Sequence, residues 1–244
     1  SNPLAVLRVF ALVLLVFALT MLAPAAVAHV GQDSSATAFQ LGCAITFVSA
    51  TTLWLFARRH TDELRVRDGF LLVSLVWVVV PVFATIPLLL FMPAMSFTDA
   101  YFETVSGLTT TGSTVIEGLD ILPFSINFWR ALLVFLGGMG LIVLAVAILP
   151  LLGVGGRQIF KAEAPGPMKD AKLTPRMAET AKGLWLAYAG ITAACIPALW
   201  SAGMGWGDAV IHTFTIMGLG GFSSHDASFG FWNSPAIEAV TIFF

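Results

Sequence analysis

Five apolar runs, at 4–27, 37–57, 69–92, 126–152 and 180–201, each reach the length of about 20 residues that a helix needs to cross a bilayer core. Inside lipid the backbone must satisfy its own N–H and C=O groups, which restricts such runs to helices. Only 11% of the residues are charged, against about 25% in an ordinary soluble domain. The chain is therefore expected to be an all-α polytopic membrane protein.

Charge placement predicts the orientation, whereas the net charge of −2 says little. All Lys and Arg except Arg8 and Arg130 fall within 58–68 and 157–182. The positive-inside rule makes those two segments cytoplasmic, and Arg8 ahead of the first run puts the N-terminus on the same side. Segments 29–36, 93–125 and 202–234 are then external. They carry Asp33, Asp99, Glu103, Glu117, Asp120, Asp208 and Asp226 and no Lys or Arg. Such a face concentrates cations and repels anions. Arg8, the first apolar run and Ala26-Val27-Ala28 also fit a cleaved signal peptide. Retaining the run as a span gives the rest of the chain a consistent topology, and that is the reading adopted. Cys43 and Cys195 both lie inside apolar runs, where packing is expected rather than a disulfide framework.

Between two of the runs, residues 103–115 read Glu-Thr-Val-Ser-Gly-Leu-Thr-Thr-Thr-Gly-Ser-Thr-Val. Non-helical backbone at membrane depth is tolerated only where it is buried in protein or lines a cavity. Small hydroxyl residues around a glycine suit a loop that offers carbonyl oxygens to a dehydrated ion. The chain also repeats itself weakly at an offset of 109 residues: Asp99 with Asp208, Ala100 with Ala209, Gly112 with Gly221 and Ser125 with Ser234. Repeats in membrane proteins place a site at the repeat interface. Segments 97–108 and 206–217 are too short to cross, so they are expected to be re-entrant helices. Ser96 can cap the first, and Asp99 and Asp208 lie in first turns, where the helix dipole favours an acid. The partly negative C-terminal ends, near Leu108 and Met217, then face the membrane interior and stabilise a cation.

The expected organisation is a two-span unit at 1–68 and a first pore repeat at 69–156. That repeat has spans at 69–92 and 126–152, a pore helix at 97–108 and a filter at 109–115. A cytoplasmic linker at 157–178 leads to a second repeat at 179–244. Its span is 179–203, its pore helix 206–217 and its filter 218–223. Only a partial closing span, 235–244, is present, so the chain is expected to be a fragment. By comparison with potassium filters about four loops are needed to close a ring. The candidate filter residues are Thr110, Thr111, Gly112, Ser113 and Thr114, with Leu219, Gly220, Gly221, Phe222 and Ser223 at the same offset. Because the side chains differ while the second glycine is kept, main-chain carbonyls are expected to coordinate the ion. Ion contacts are assigned to Thr110, Thr111, Gly112, Leu219, Gly220 and Gly221.

Several segments resemble the Trk family of potassium uptake proteins, in particular its TrkH-type membrane subunits. They are 102–115, Trp-Arg-Ala-Leu-Leu-Val-Phe-Leu-Gly-Gly-Met-Gly (129–140), Ala-Ile-Leu-Pro-Leu-Leu-Gly-Val-Gly-Gly (147–156), Ala-Glu-Ala-Pro-Gly-Pro-Met-Lys-Asp (162–170), Leu-Thr-Pro-Arg-Met-Ala-Glu-Thr-Ala-Lys (173–182) and Gly-Gly-Phe-Ser-Ser-His-Asp-Ala-Ser (220–228). The resemblance implies four span–pore-helix–span repeats around one pathway, preceded by a two-span unit, in the bacterial inner membrane. It further implies a homodimer, a cytosolic TrkA-like nucleotide-binding ring as regulator, potassium as the transported ion, passive or gradient-driven uptake, and no cofactor or nucleic acid. Gly112 and Gly221 match the filter glycines. In sodium-favouring relatives serine replaces the first filter glycine, and Gly112 argues against that specificity. Gly218-Leu219 departs from the small residue and threonine of related filters.

Other polar residues have competing readings. Glu103 and His212 occupy equivalent places in the two short helices and are expected to support the filter by hydrogen bonding. Arg130 either pairs with Glu103 or Glu117 or snorkels to the interface. His225-Asp226 is read as a loop-stabilising pair in preference to a metal site. Gly137, Gly138 and Gly140 are expected to permit close helix packing, and Pro81, Pro87 and Pro93 to kink one span. The basic run 157–182 is a topological signal or a docking segment for a partner. An intramembrane enzyme would need paired catalytic groups on facing spans. Spans 37–57, 69–92 and 126–152 contain no His, Asp or Glu. A non-conducting scaffold would have no use for the paired loops.

Overall fold

The computed structural model describes residues 3–60, 66–148 and 173–244, and all regular structure among them is helical. Helices α1 (Pro3–Thr20), α2 (Leu22–Val30) and α3 (Ala36–Ala57) form the N-terminal part. They are followed by α4 (Val66–Phe91), the short α5 (Phe97–Leu108) and α6 (Phe124–Ile148), then α7 (Leu173–Ser201), the short α8 (Trp206–Met217) and α9 (Pro235–Phe243). Most of the linker expected at 157–178, and the motifs at 149–156 and 162–170, lie outside the described residues.

Among the described residues, Pro3–Val30, Ala36–Ala57, Arg67–Phe91 and Glu179–Ser201 are long and apolar enough to cross a membrane. The fourth run of the sequence gives α6, 25 residues long. Val16, Phe56 and Leu186 on these helices are each at least 65% exposed, an arrangement that suits hydrocarbon as the solvent. The first run divides into α1 and α2 at Met21, beside Pro24, which has no N–H to donate to the Thr20 carbonyl one turn earlier. Arg8 Nη1 donates to the His60 carbonyl at 3.3 Å, so the start of α1 lies beside the end of α3. That neighbourhood fits the expectation that Arg8 and the basic 58–68 segment share one side.

Pro81 and Pro87 lie inside α4, as expected of kinks, but Pro93 falls in the turn after the helix has ended. Carbonyls of α4 near these prolines receive side-chain donors from later elements: Tyr101 on Val78, Thr104 on Pro81 and Trp129 on Ala84, at 2.9, 3.0 and 3.2 Å. Trp129 of α6 is fully buried between Phe17 of α1 and Phe39 of α3, with ring centroids 5.7 and 6.0 Å away. One indole therefore ties the N-terminal part to α4 and α6.

The short helices have the expected bounds, and at about 1.5 Å per residue their 12 residues span roughly 18 Å, well short of a bilayer core. Ser96 caps α5 by accepting the Asp99 N–H at 3.1 Å, and its hydroxyl donates to Asp99 Oδ2 at 2.7 Å. At α8 the cap is Gly205, which offers no side chain, and Asp208 is drawn into the following loop. α6 is the central element, packing on α2, α5, α7 and α8.

Asp33 locks the N-terminal part onto the start of α6. Its carboxylate accepts from the Ser35 N–H at 2.7 Å and from the hydroxyls of Ser35 and Ser125. Burial pushes the Asp33 carboxyl up, but hydrogen bonds from Ser125 and Ser35 together outweigh it and leave its pKa below the ordinary value. A carboxylate whose folded pKa is depressed contributes its stability in full above the unfolded pKa, about 3.9. It loses that contribution as the pH falls through the folded value. On acidification from pH 5 to below pH 4, the thermal midpoint of the wild type is expected to drop further than that of Asp33→Asn. Equal drops in the two proteins would remove Asp33 as the source.

Candidate functional site

Each short helix runs into a loop whose backbone repeats residue for residue. After α5 the N–H groups of Thr109, Thr110 and Thr111 donate to the carbonyls of Val105, Gly107 and Ser106 at 2.8, 3.0 and 2.8 Å. After α8 those of Gly218, Leu219 and Gly220 donate to Phe214, Ile216 and Thr215 at 3.2, 3.0 and 3.0 Å. All six partners obey the 109-residue offset. Positive φ follows the same rule: Thr110 at 57° and Gly112 at 79°, against Leu219 at 56° and Gly221 at 84°. A β-branched threonine in the left-handed region is a strained choice, costing on the order of 1–3 kcal/mol. Its recurrence at the matched position marks the loop shape as imposed by its surroundings.

The two loops meet at glycine. A Cβ built on Gly112 would lie 1.5 Å from the Gly220 carbonyl oxygen, so the second loop presents that oxygen directly to the first. α6 supports both loops from behind. A Cβ on Gly137 would strike the Leu108 carbonyl oxygen at 1.9 Å, and one on Gly138 would come within 2.8 Å of Gly218 Cα. Val134 packs against Gly218 and Gly220. Two of the three glycines read as packing positions thus serve that purpose, while Gly140 has no atom within 4 Å of an added Cβ among the described residues.

Not every candidate filter residue turns its side chain the same way. Leu219 is 87% exposed, and an alkyl chain there offers no ligand to an ion. Thr111 shares a hydroxyl hydrogen bond with Thr109, and Ser113 is exposed. Phe222 and Ser223 are buried instead, and Thr114, though exposed, turns its hydroxyl inward to Glu103. The Phe222 ring lies under the Arg130 guanidinium, 4.4 Å from centroid to Cζ.

Glu103 and His212 occupy matched positions and make matched contacts. Thr114 Oγ1 donates to Glu103 Oε1 at 2.8 Å, and the Val115 N–H donates to Oε2 at 3.0 Å. In the second unit the His212 ring links the Asp208 carbonyl through Nδ1 and the Ser223 hydroxyl through Nε2, both at 2.8 Å. Because a carbonyl only accepts, Nδ1 carries the proton and Nε2 accepts from Ser223. The Thr114 and Ser223 hydroxyls also receive matched backbone N–H groups, from Ile116 at 3.2 Å and His225 at 3.1 Å.

Arg130 does not snorkel. It is 1% exposed, and its Nε donates to Glu103 Oε1 at 2.8 Å. Nη1 donates to Asn127 Oδ1 and the Ser223 carbonyl at 3.3 and 3.1 Å, and Nη2 to Thr114 Oγ1 at 3.0 Å.

On the outer side His225 and Asp226 bind loop to loop, in keeping with the loop-stabilising reading. Asp226 accepts the N–H groups of Gly118 and Leu119 at 3.1 and 3.0 Å and gives its own N–H to Asp120 Oδ2 at 3.1 Å. His225 bonds Asp120 through Nδ1 and Asp208 through Nε2, and its ring stacks on Phe231 at 3.6 Å. The hydrogen bond from His225 holds the Asp120 carboxyl below its usual pKa. Among the described residues no group of three or more His, Cys, Asp or Glu side chains is placed to hold a metal.

The sequence reading missed Asn127, whose Nδ2 donates to the Leu119 carbonyl at 2.9 Å. Asn127 and Arg130, three residues apart in an otherwise apolar run, share a helix face, a spacing that could have singled out the pair. Phe222 and Val134 as packing residues carried no comparable signal.

Residues 35–244 match the family model of TrkH, described as a cation transport protein. The chain is 50% identical over 98% of its length to the Trk system potassium uptake protein TrkH of Vibrio parahaemolyticus, and 47% identical over 98% to that of Escherichia coli K12. The crystal structure of the potassium transporter TrkH from Vibrio parahaemolyticus superposes with a TM-score of 0.88 and 44% identity, covering all of this chain and 49% of that one. The chain spans about half the length of these relatives, 50% in both sequence matches. With that match over most of its length, and with the chain as a whole superposing on a solved member, the chain belongs to the TrkH family of cation transport proteins.

Proposed function

We propose that the protein carrying this chain takes up potassium through a filter of backbone carbonyls, and that the loops around Gly112 and Gly221 supply two of its walls. The observation that carries this reading is the matched loop geometry, with the Gly220 carbonyl oxygen set against Gly112. Paired left-handed residues at the ends of two half-length helices give a loop that offers oxygens without side-chain ligands. The exposed alkyl chain of Leu219 in the second loop supports main-chain coordination. The C-terminal ends of α5 and α8 add their partial negative charge beside the same loops. The names of the relatives, which refer to potassium uptake, support the choice of ion.

On this reading potassium contacts Thr110, Thr111, Gly112, Leu219, Gly220 and Gly221, and Glu103 and His212 brace the loops from behind. The unit boundaries are 1–68, 69–156, 157–178 and 179–244, with the remaining walls supplied by further repeats. Resemblance to the family extends the proposal to a homodimer in the bacterial inner membrane, its N-terminus cytoplasmic, gated by a TrkA-like nucleotide-binding ring.

Complementation tests the core of it. The full-length protein is expected to restore growth at low potassium to a bacterium lacking its own uptake systems. Expression in the membrane without rescue would overturn the potassium reading.

A further inference from the structure

We propose that Arg130 is a positioning residue that sets the spacing between the two candidate filter loops, an inference that rests on the potassium-filter reading above. The guanidinium grips the loops at the same offset-matched position. Nη2 holds Thr114 in the first loop and Nη1 holds the Ser223 carbonyl in the second, at 3.0 and 3.1 Å. Thr114 and Ser223 each stand two residues beyond the left-handed glycine, Gly112 or Gly221. One rigid planar group therefore bridges offset-matched residues of the two loops, through the Thr114 hydroxyl and the Ser223 carbonyl.

Its own orientation is fixed on every side. Glu103 takes Nε, Asn127 takes part of Nη1, and the Phe222 ring covers the guanidinium. Charge compensation alone would need only the contact to Glu103, at 2.8 Å. The two further grips, on different loops, go beyond that need. The second unit has no counterpart, because the position 109 residues on from Arg130 is Ala239. The arginine of the first unit serves both loops. Displacement of one loop against the other would change the distances between carbonyls on which discrimination between ions of different radius depends.

Arg130→Lys separates this role from simple neutralisation. Lysine keeps the charge beside Glu103, but a compact ammonium cannot reproduce a fork that spans two acceptors at fixed angles. The test uses the full-length protein in proteoliposomes, measuring rubidium uptake and its inhibition by sodium. Arg130→Lys is expected to fold and take up rubidium with its rubidium-over-sodium preference lowered roughly tenfold, the scale of one lost charge-assisted hydrogen bond. Wild-type preference in Arg130→Lys would overturn the proposal and reduce Arg130 to a counter-ion. Should Arg130→Lys fail to fold, Thr114→Val decides by the same criterion: it removes the Nη2 grip together with the hydroxyl's bond to Glu103, and leaves the Arg130–Glu103 pair in place. Lack of rubidium uptake by the wild type is a separate result. It would remove the filter reading and this inference with it.

Discussion

Gly112→Ser in the full-length protein is expected to abolish growth rescue at low potassium and to lower rubidium-over-sodium preference at least about tenfold, equivalent to 1.4 kcal/mol of lost discrimination. Two independent costs coincide at this position. The backbone sits at φ 79°, where any L side chain pays on the order of 1–2 kcal/mol. The added Cβ would also lie 1.5 Å from the Gly220 oxygen and 2.6 Å from its carbonyl carbon, closer than any van der Waals contact permits. The clash falls on backbone, so no rotamer change relieves it. Either the first loop flattens or the second is driven away, and both displace carbonyls. Gly190→Ala on α7 is the matched control, because among the described residues it meets nothing within 4 Å in ordinary helix, and it is expected to behave as wild type. Rescue by Gly112→Ser with unchanged ion preference would take Gly112 out of the filter.

Features written in local spacing could be read from the sequence. The bounds of α5 and α8 follow from an apolar segment too short to cross, opened by a cap or glycine and closed by a loop. The offset linking Gly112 to Gly221 points to a repeated glycine-bearing loop, and the left-handed pairs at 110/112 and 219/221 share one backbone shape. Pro93 was misjudged because a proline just after a helix and one inside it differ by only two residues of helix, within the uncertainty of any end. The latch through Asp226 was legible only as a tendency. Its acceptors meet N–H groups more than 100 residues earlier, and nothing near position 226 encodes Gly118. Arg130 shows the same limit. A lone arginine near the end of an apolar run has an interface available to it, and only the fold reveals that four partners draw it inward. The shared offset of Glu103 and His212 points to loop support, yet only the fold shows Thr114 and Ser223 as hydroxyls joining each helix to its loop.

Glu103→Ala is expected to destabilise the folded protein by about 3–5 kcal/mol, because it strands the buried Arg130 charge. The first unit solves its polar problem with a Glu–Arg pair; the second, at the same positions, has His212 and Ala239 and carries no buried arginine. The chain therefore contains its own neutral substitute. In Glu103→His/Arg130→Ala the new imidazole has the Asp99 carbonyl one turn back as acceptor for Nδ1–H, as His212 has Asp208. Its Nε2 can then accept from Thr114 as His212 does from Ser223. The double variant is expected to be more stable than Glu103→Ala and to fall short of the sum of the separate changes by roughly 1–3 kcal/mol. Thermal unfolding of the purified protein measures all four corners of that cycle. It remains below wild type, since Ser223 loses a donor to its carbonyl and Phe222 its cation. Additivity within about 0.5 kcal/mol would mean that Glu103 and Arg130 act independently. The matched positions of the two units would then not be interchangeable solutions to one burial problem.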